Sequence, residues 1–244
     1  MPDPIVTQHQ PAIVLASSSP RRRVLLSQLG VQFTVRITDF DETMTAPATP
    51  ESYVESLARQ KAGVVAWESS PGVMEGEAVR ARSLVLGSDT VVSVDGEILG
   101  KPASEAEATA MLTRLRGRDH EVLTAVALID TGDGSTRSRV VTTTVHMREF
   151  DDAALTAYVA SGEPMDKAGG YGIQRGTRKL IAGFSGCYTN VVGFPLCEVA
   201  TLLLEAGVEI PGLPPYCRLP DGQPCPHEQA MASGQSGSVP ASRP

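Results

Sequence analysis

The sequence contains no apolar run near the roughly 18 residues that a membrane-spanning helix needs. Its N-terminus lacks the basic-then-apolar order of a secretory signal. These absences read as a cytoplasmic protein with no membrane partner. Excess positive charge is missing too: the formal net charge is −7, which argues against a general nucleic-acid coat and leaves no nucleic-acid partner expected. The four cysteines, Cys187, Cys197, Cys217 and Cys225, lack the look of a disulfide framework. The first two read as buried thiols. Cys217, Cys225 and His227 form C-x7-C-x-H, which matches no standard zinc spacing, so no structural metal is read there. The four histidines form no ligand or triad spacing, and no Gly-x-Ser-x-Gly elbow occurs. No internal repeat is visible.

What remains is ordinary globular material. The 244 residues are 41% apolar and 20% charged, enough for a sizeable core. Residues 1–11 read as a loose leader, 12–210 as one domain, and 211–244, rich in Pro, Gly and Ser, as a disordered tail. Strand-like and helix-like segments alternate between Ile13 and Gly207, which predicts an α/β architecture. Strands are expected at 13–16 and 31–37, and helices at 20–29 and from Thr49-Pro50 onward. Residues 68–82 read as a surface insertion. Leu84–Val94 reads as one strand or as two interrupted at Gly87-Ser-Asp89. Ser104 and Glu107 form a capping box for a third helix that Gly117 closes. Segments 121–129 and 138–148 form a hairpin around Asp130-Thr-Gly-Asp-Gly. Further helices are expected at 151–160 and 195–206.

Three segments carry chemistry. The first is Ile13-Val-Leu-Ala-Ser-Ser-Ser-Pro-Arg-Arg: a short strand, a Ser-rich turn, and a helix with Ser19 as N-cap and Pro20 at its first position. Arg21, Arg22 and Arg23 crowd the positive end of that helix dipole, each costing about 0.3–1 kcal/mol unless an anion is near. Free backbone N–H groups and guanidinium forks together suit a phosphate-like anion. The second is Gly87-Ser-Asp-Thr-Val-Val, where Asp89 follows an apolar run at a strand end. Such a carboxylate can take a proton from water, hold a divalent metal, or do both. Nearby Gly96-Glu-Ile-Leu-Gly-Lys-Pro puts Lys101 in a turn. It is no P-loop, because three residues rather than four separate the glycines and no Ser/Thr follows the lysine. The third is the glycine-dense stretch Gly162 to Gln174, a long functional loop anchored by Tyr171 and Ile173. Gln174 can both donate and accept, as a pyrimidine edge requires.

Taken in order, Ala16-Ser-x-Ser-Pro-Arg-Arg, Gly87-x-Asp-Thr-Val, Gly100-Lys-Pro, Asp166-Lys-Ala-Gly-x-Tyr-Gly-Ile-Gln and Asn190-Val-Val-Gly-x-Pro-Leu resemble the Maf family of nucleotide pyrophosphatases, over residues 13–207. The resemblance implies an elongated α/β fold with a central mixed twisted sheet, flanking helices and a cleft between two lobes, similar to inosine triphosphate pyrophosphatases. It implies cleavage of a nucleoside triphosphate to monophosphate and pyrophosphate with Mg²⁺ or Mn²⁺. Carried over by motif, Asp89 is the proton acceptor and Arg21, Thr90 and Gln174 set substrate choice. Ser17, Ser19, Arg22, Lys61 and Lys101 match phosphate-side positions, and Glu42 joins Asp89 near the metal. The Asp-Thr and Ile-Gln pairs resemble the dTTP/UTP branch, with modified pyrimidine nucleotides as further candidates. The alternatives are a 7-methyl-GTP pyrophosphatase and a non-catalytic nucleotide-binding regulator of division. Gly170 and Arg175 depart from the usual family pattern. The family often forms homodimers.

Overall fold

The computed structural model describes residues 10–37, 49–68, 82–174, 180–212, 214–233 and 241–242. Its frame is an eight-stranded mixed sheet with helices on both faces. The strands are β1 (Ala12–Ala16), β2 (Phe33–Arg36), β3 (Ser83–Val94), β4 (Glu97–Leu99), β5 (Asp119–Asp130), β6 (Thr136–Met147), β7 (Ile181–Ser185) and β8 (Ala241–Ser242). They lie in the order β2-β1-β3-β5-β6-β7-β8, with β4 paired to β3 beyond the end of β1. β1 is parallel to β2 and β3, and every other pairing is antiparallel.

The helices are α1 (Pro20–Ser27), α2 (Pro50–Glu68), α3 (Glu105–Leu115), α4 (Asp152–Ala160), α5 (Tyr188–Val192), α6 (Leu196–Glu205) and α7 (Pro226–Ala232). Their caps follow from sequence. Ser19, Ser104 and Asp151 accept from the backbone N–H groups of Arg22, Glu107 and Ala154, satisfying donors that have no partner inside their own helix. In the capping box Glu107 reaches back to the N–H of Ala103 at 2.7 Å. α1 stops two residues earlier than 20–29 predicts, because the turn into Gly30 (φ 72°) begins at Gln28.

Side-chain alternation divides the core into two. Val14, Val85, Val91, Leu123 and Ala125 meet α2 on one face, where Val54, Ala58, Ala62 and Val65 point inward. Ile13, Leu15, Leu84, Leu86, Val92 and Val122 face the opposite way, into the larger cluster with α1, α3, α4 and α6. β3 is one unbroken strand, so Gly87-Ser-Asp89 does not interrupt it. Gly87 serves packing instead. A Cβ there would sit 2.3 Å from the Ala58 carbonyl oxygen and 2.7 Å from the Ala62 nitrogen, so only glycine lets α2 lie this close.

Two short elements, β7 and α5, fall between the segments that the periodicity identifies. The tail also differs from its composition-based expectation. Residues 214–233 carry α7 and bury Cys217 and Cys225 completely, because these thiols join the sulfur-rich end of the core. Positions 1–9, 38–48 (with Glu42), 69–81 of the expected insertion, 175–179 (with Arg175), 213, 234–240 and 243–244 lie outside the described residues.

Gly87→Ala should destabilise the fold by about 1–3 kcal/mol through overpacking against helix backbone. A lowered denaturant midpoint at unchanged slope is the expected readout, and an unchanged midpoint would contradict the packing account.

Candidate active site

β1 pairs with β3 only as far as Ala16↔Gly87, while β4 joins β3 from Val92↔Leu99 onward. Between these pairings, at Ser88–Val91, no described strand covers that side of β3. This notch is where Asp89 and Thr90 sit. Being consecutive on a strand, their side chains leave toward opposite faces. Asp89 points to the α2 face and Thr90 to the other, and both still reach one cavity of about 990 Å³ that wraps the notch.

The cavity collects residues from every motif the sequence singles out. Ser17, Ser19, Arg21, Arg22, Lys61, Asp89, Thr90, Lys101 and Gln174 all line it, and Glu42 lies outside the described residues. The Ser17–Ser19 turn and the start of α1 lie at the carboxyl end of β1, where ligands bind in α/β sheets. The helix start offers the N–H groups of an anion site, with Ser17 Oγ already accepting from Ser19 N at 3.2 Å.

Asp89 is buried, and its Oδ1 accepts from Lys61 Nζ at 2.6 Å. Lys61 immediately precedes Ala62, which packs on Gly87, so the close fit of α2 delivers the ammonium to the carboxylate. Arg22 is a brace that ties three segments together among the described residues. Its Nε donates to the Gly193 carbonyl at 2.9 Å, Nη1 to Ser17 Oγ at 3.3 Å and Nη2 to Thr90 Oγ1 at 3.1 Å. Thr90 Oγ1 also shares a hydrogen bond of 3.0 Å with Thr124 Oγ1, whose hydroxyl donates to the Asn190 carbonyl at 3.0 Å. Asn190 is fully buried and donates through Nδ2 to Val122 O and Thr143 Oγ1, both at 2.9 Å.

The glycine-dense loop forms the opposite wall. Asp166 accepts from Arg21 Nη1 at 2.8 Å and from Lys167 Nζ at 2.6 Å. Burial works against ionising Asp166, but the two cationic hydrogen bonds outweigh it and hold the carboxyl below its usual range. Tyr171 and Ile173 are buried, as loop anchors should be. The Tyr171 hydroxyl hydrogen-bonds His120 on β5. Desolvation lowers the His120 pKa to about 4, so the imidazole is neutral near pH 7. Val92, Val122, Tyr188 and Val191 add an apolar stretch.

Sequence reasoning did not assign roles to Thr124, Asn190 and Gly193. Asn190 and Gly193 were visible in a family motif, but Thr124 carried no signal inside its apolar strand. Pro220, from the tail, also lines the cavity and carried none.

Residues 12–206 match the Maf-like protein family. The chain belongs to the Maf family. Its curated Maf relatives include proteins named dTTP/UTP pyrophosphatase. The one from Pelotomaculum thermopropionicum is 44% identical, covering 81% of this chain and 98% of that one. The one from Myxococcus xanthus is 46% identical, covering 83% and 96%. The one from Colwellia psychrerythraea is 46% identical, covering 80% and 88%. Among solved structures, a nucleoside-triphosphatase / dITP/XTP pyrophosphatase from Mycobacterium abscessus overlaps this Maf chain with a TM-score of 0.34 and 14% identity, too little to carry an argument. Among the described residues, no helix is long and apolar enough to cross a membrane.

His120 gives this site a pH signature. Its folded pKa lies below the unfolded value of 6.5, so the unfolded chain binds the extra proton and acid favours unfolding. At about 1.4 kcal/mol per unit of pKa, stability should fall by about 3 kcal/mol as pH drops from about 6.5 to about 4. His120→Gln cannot titrate yet keeps a partner for Tyr171, and should flatten that part of the curve. Equal slopes in denaturant titrations of both proteins would refute the assignment.

Proposed function

We propose that the chain is a nucleoside triphosphate pyrophosphatase acting on dTTP and UTP, releasing the monophosphate and pyrophosphate. The observation that carries this reading is a buried carboxylate, Asp89, held by Lys61 in the same cavity as Arg21, Arg22, Lys101 and the start of α1. The names of relatives 40–46% identical over most of the chain support the substrate class.

In this reading Asp89 accepts a proton from a water that attacks the α-phosphorus in line. The bond from that phosphorus to the bridging oxygen breaks, and pyrophosphate leaves with the electron pair. Lys61 orients the carboxylate. Arg21 and Lys101 neutralise phosphate oxygens, where fixed charge is worth most as negative charge shifts onto the leaving group. Arg22, already tied to three segments, holds Ser17, Thr90 and Gly193 in register while presenting its charge. Gln174, Thr90 and Arg21 select the base and sugar, and Val92, Tyr188 and Val191 suit a base face.

The donor set fits Mg²⁺ or Mn²⁺, since such ions are commonly held by one or two carboxylates together with substrate phosphates. Asp89 is the carboxylate at the notch, and Glu42 is the second candidate. When bound, the cation would supply Lewis-acid neutralisation of the triphosphate. The reading includes a cytoplasmic setting and a homodimer, which the family often forms.

Asp89→Asn should fold normally and lose about 10²–10⁴ in turnover, the usual worth of one positioned acid/base group. The measurement is pyrophosphate release from dTTP, UTP, CTP and 7-methyl-GTP, with Mn²⁺, with Mg²⁺ and with neither. Wild-type rates in Asp89→Asn would sink the assignment of the base. Preference for 7-methyl-GTP would redirect the substrate, and tight triphosphate binding without release would favour a regulator.

A further inference from the structure

The four cysteines, scattered in sequence, converge at one end of the core. The Sγ atoms of Cys187, Cys197 and Cys217 all lie within 4.8 Å of one another. Cys225 stands beside this trio rather than within the same 4.8 Å of all three, its buried thiol interacting with those of Cys187 and Cys217, so it would close the site by a small shift of the loop. All four side chains are buried, at 0%, 2%, 0% and 0% exposure in chain order. They come from three segments: Cys187 precedes α5, Cys197 is in the first turn of α6, and Cys217 and Cys225 flank a loop of the C-terminal arm. His227, the third member of the C-x7-C-x-H spacing, is not among them. Its Nε2 lies 3.2 Å from Glu198.

We infer that Cys187, Cys197, Cys217 and Cys225 form a tetrathiolate site for a structural Zn²⁺ that fastens the C-terminal arm to the Maf domain. The spacing favours a metal over a disulfide. A tetrahedral site with Zn–S bonds of about 2.3 Å has sulfur–sulfur edges of about 3.8 Å. The Cys187–Cys217 separation is 3.8 Å, whereas a disulfide needs about 2.05 Å.

The surroundings suit thiolates. Thr189 Oγ1 lies 3.1 Å from Cys217 Sγ and 3.3 Å from Cys187 Sγ. Because that oxygen accepts from Leu196 N at 3.0 Å, its proton is free to face sulfur, the outer contact that orients a ligand. Cys197 sits in the first turn of α6, where the helix dipole favours negative charge. The loop is held in shape before any ion arrives: Cys225 N donates to Cys217 O at 2.9 Å, and Glu228 accepts from Tyr216 N and Cys217 N, both at 2.7 Å.

The arm has few deeply buried anchors of its own. Among described residues 214–233, the fully buried side chains are Cys217 and Cys225 alone. Tyr216 and Leu219 pack half-buried against the same core, and the ion would add a covalent-strength anchor to these contacts. The same loop carries Pro220 to the wall of the nucleotide cavity, so the metal would also fix one edge of the site.

The test uses the full chain, expressed in zinc-supplemented medium and desalted. Elemental analysis should give about one zinc per chain, released when an organomercurial blocks the thiols. Replacement by Co²⁺ should produce intense visible d–d bands and thiolate-to-cobalt charge transfer, the mark of a tetrahedral sulfur site. Cys217→Ser/Cys225→Ser should lose most of the zinc and both spectral features, and its arm should become sensitive to limited proteolysis while the domain keeps its circular dichroism. Absence of zinc and of cobalt–thiolate bands in the native chain would overturn the inference, as would full zinc retention in the double variant. An intact mass lowered by pairs of hydrogens would mean disulfides instead. These readouts are independent of nucleotide hydrolysis, so the pyrophosphatase reading stands or falls separately.

Discussion

The fit of α2 against β3 at Gly87 is the constraint on which the site depends. With no side chain at that position, helix backbone comes close enough for Ala58 and Ala62 to touch the strand. Lys61 and Asp89 flank this contact, one residue before Ala62 and two after Gly87. Their ion pair at 2.6 Å is therefore a product of packing rather than of long-range attraction. A larger residue at 87 would lift the helix and separate the charges even if both remained in the chain. Core packing and site chemistry are one arrangement here, which explains why a glycine lies inside a strand where it would otherwise weaken the sheet.

Arg22 performs a comparable task on the other face. Its guanidinium joins the turn after β1, the Thr90 hydroxyl of β3 and the Gly193 carbonyl after α5, three segments far apart in sequence. Thr124 and Asn190 extend the network through the sheet to Thr143 on β6. Partly buried polar networks hold geometry well when each member has partners. The opposite wall is held differently, through Tyr171 and His120 inside the core and through Arg21, Asp166 and Lys167 at the surface.

Much of this was legible in the sequence because it was local. The Ser19 cap, the Ser104–Glu107 box, the Asp130–Gly134 hairpin and the stop at Gly162 each depend on a few consecutive residues. Asp89 was legible as a carboxylate at the end of an apolar run, and Lys101 as a lysine in a glycine–proline turn. Lys61 was not. It is an ordinary cation on an amphipathic helix, and only resemblance to a family singled it out. The continuity of β3 through Gly87-Ser-Asp89 was also hidden, because a glycine that admits a helix looks the same as one that breaks a strand. The cysteines show the limit most sharply: spacing along the chain argued against a cluster, while three separate segments bring the sulfurs together. Composition misled in the tail as well, since a few well-placed contacts can order a Pro- and Gly-rich segment.

The gap in the sheet beside Ser88–Val91 has a geometric consequence. Neighbouring side chains on a strand diverge, so Asp89 and Thr90 enter the one cavity from opposite faces of β3, around the bare strand margin. Anything that engages both has to reach around that margin. Length and curvature of the guest thus become a filter, applied by the outline of the backbone before any individual hydrogen bond is formed.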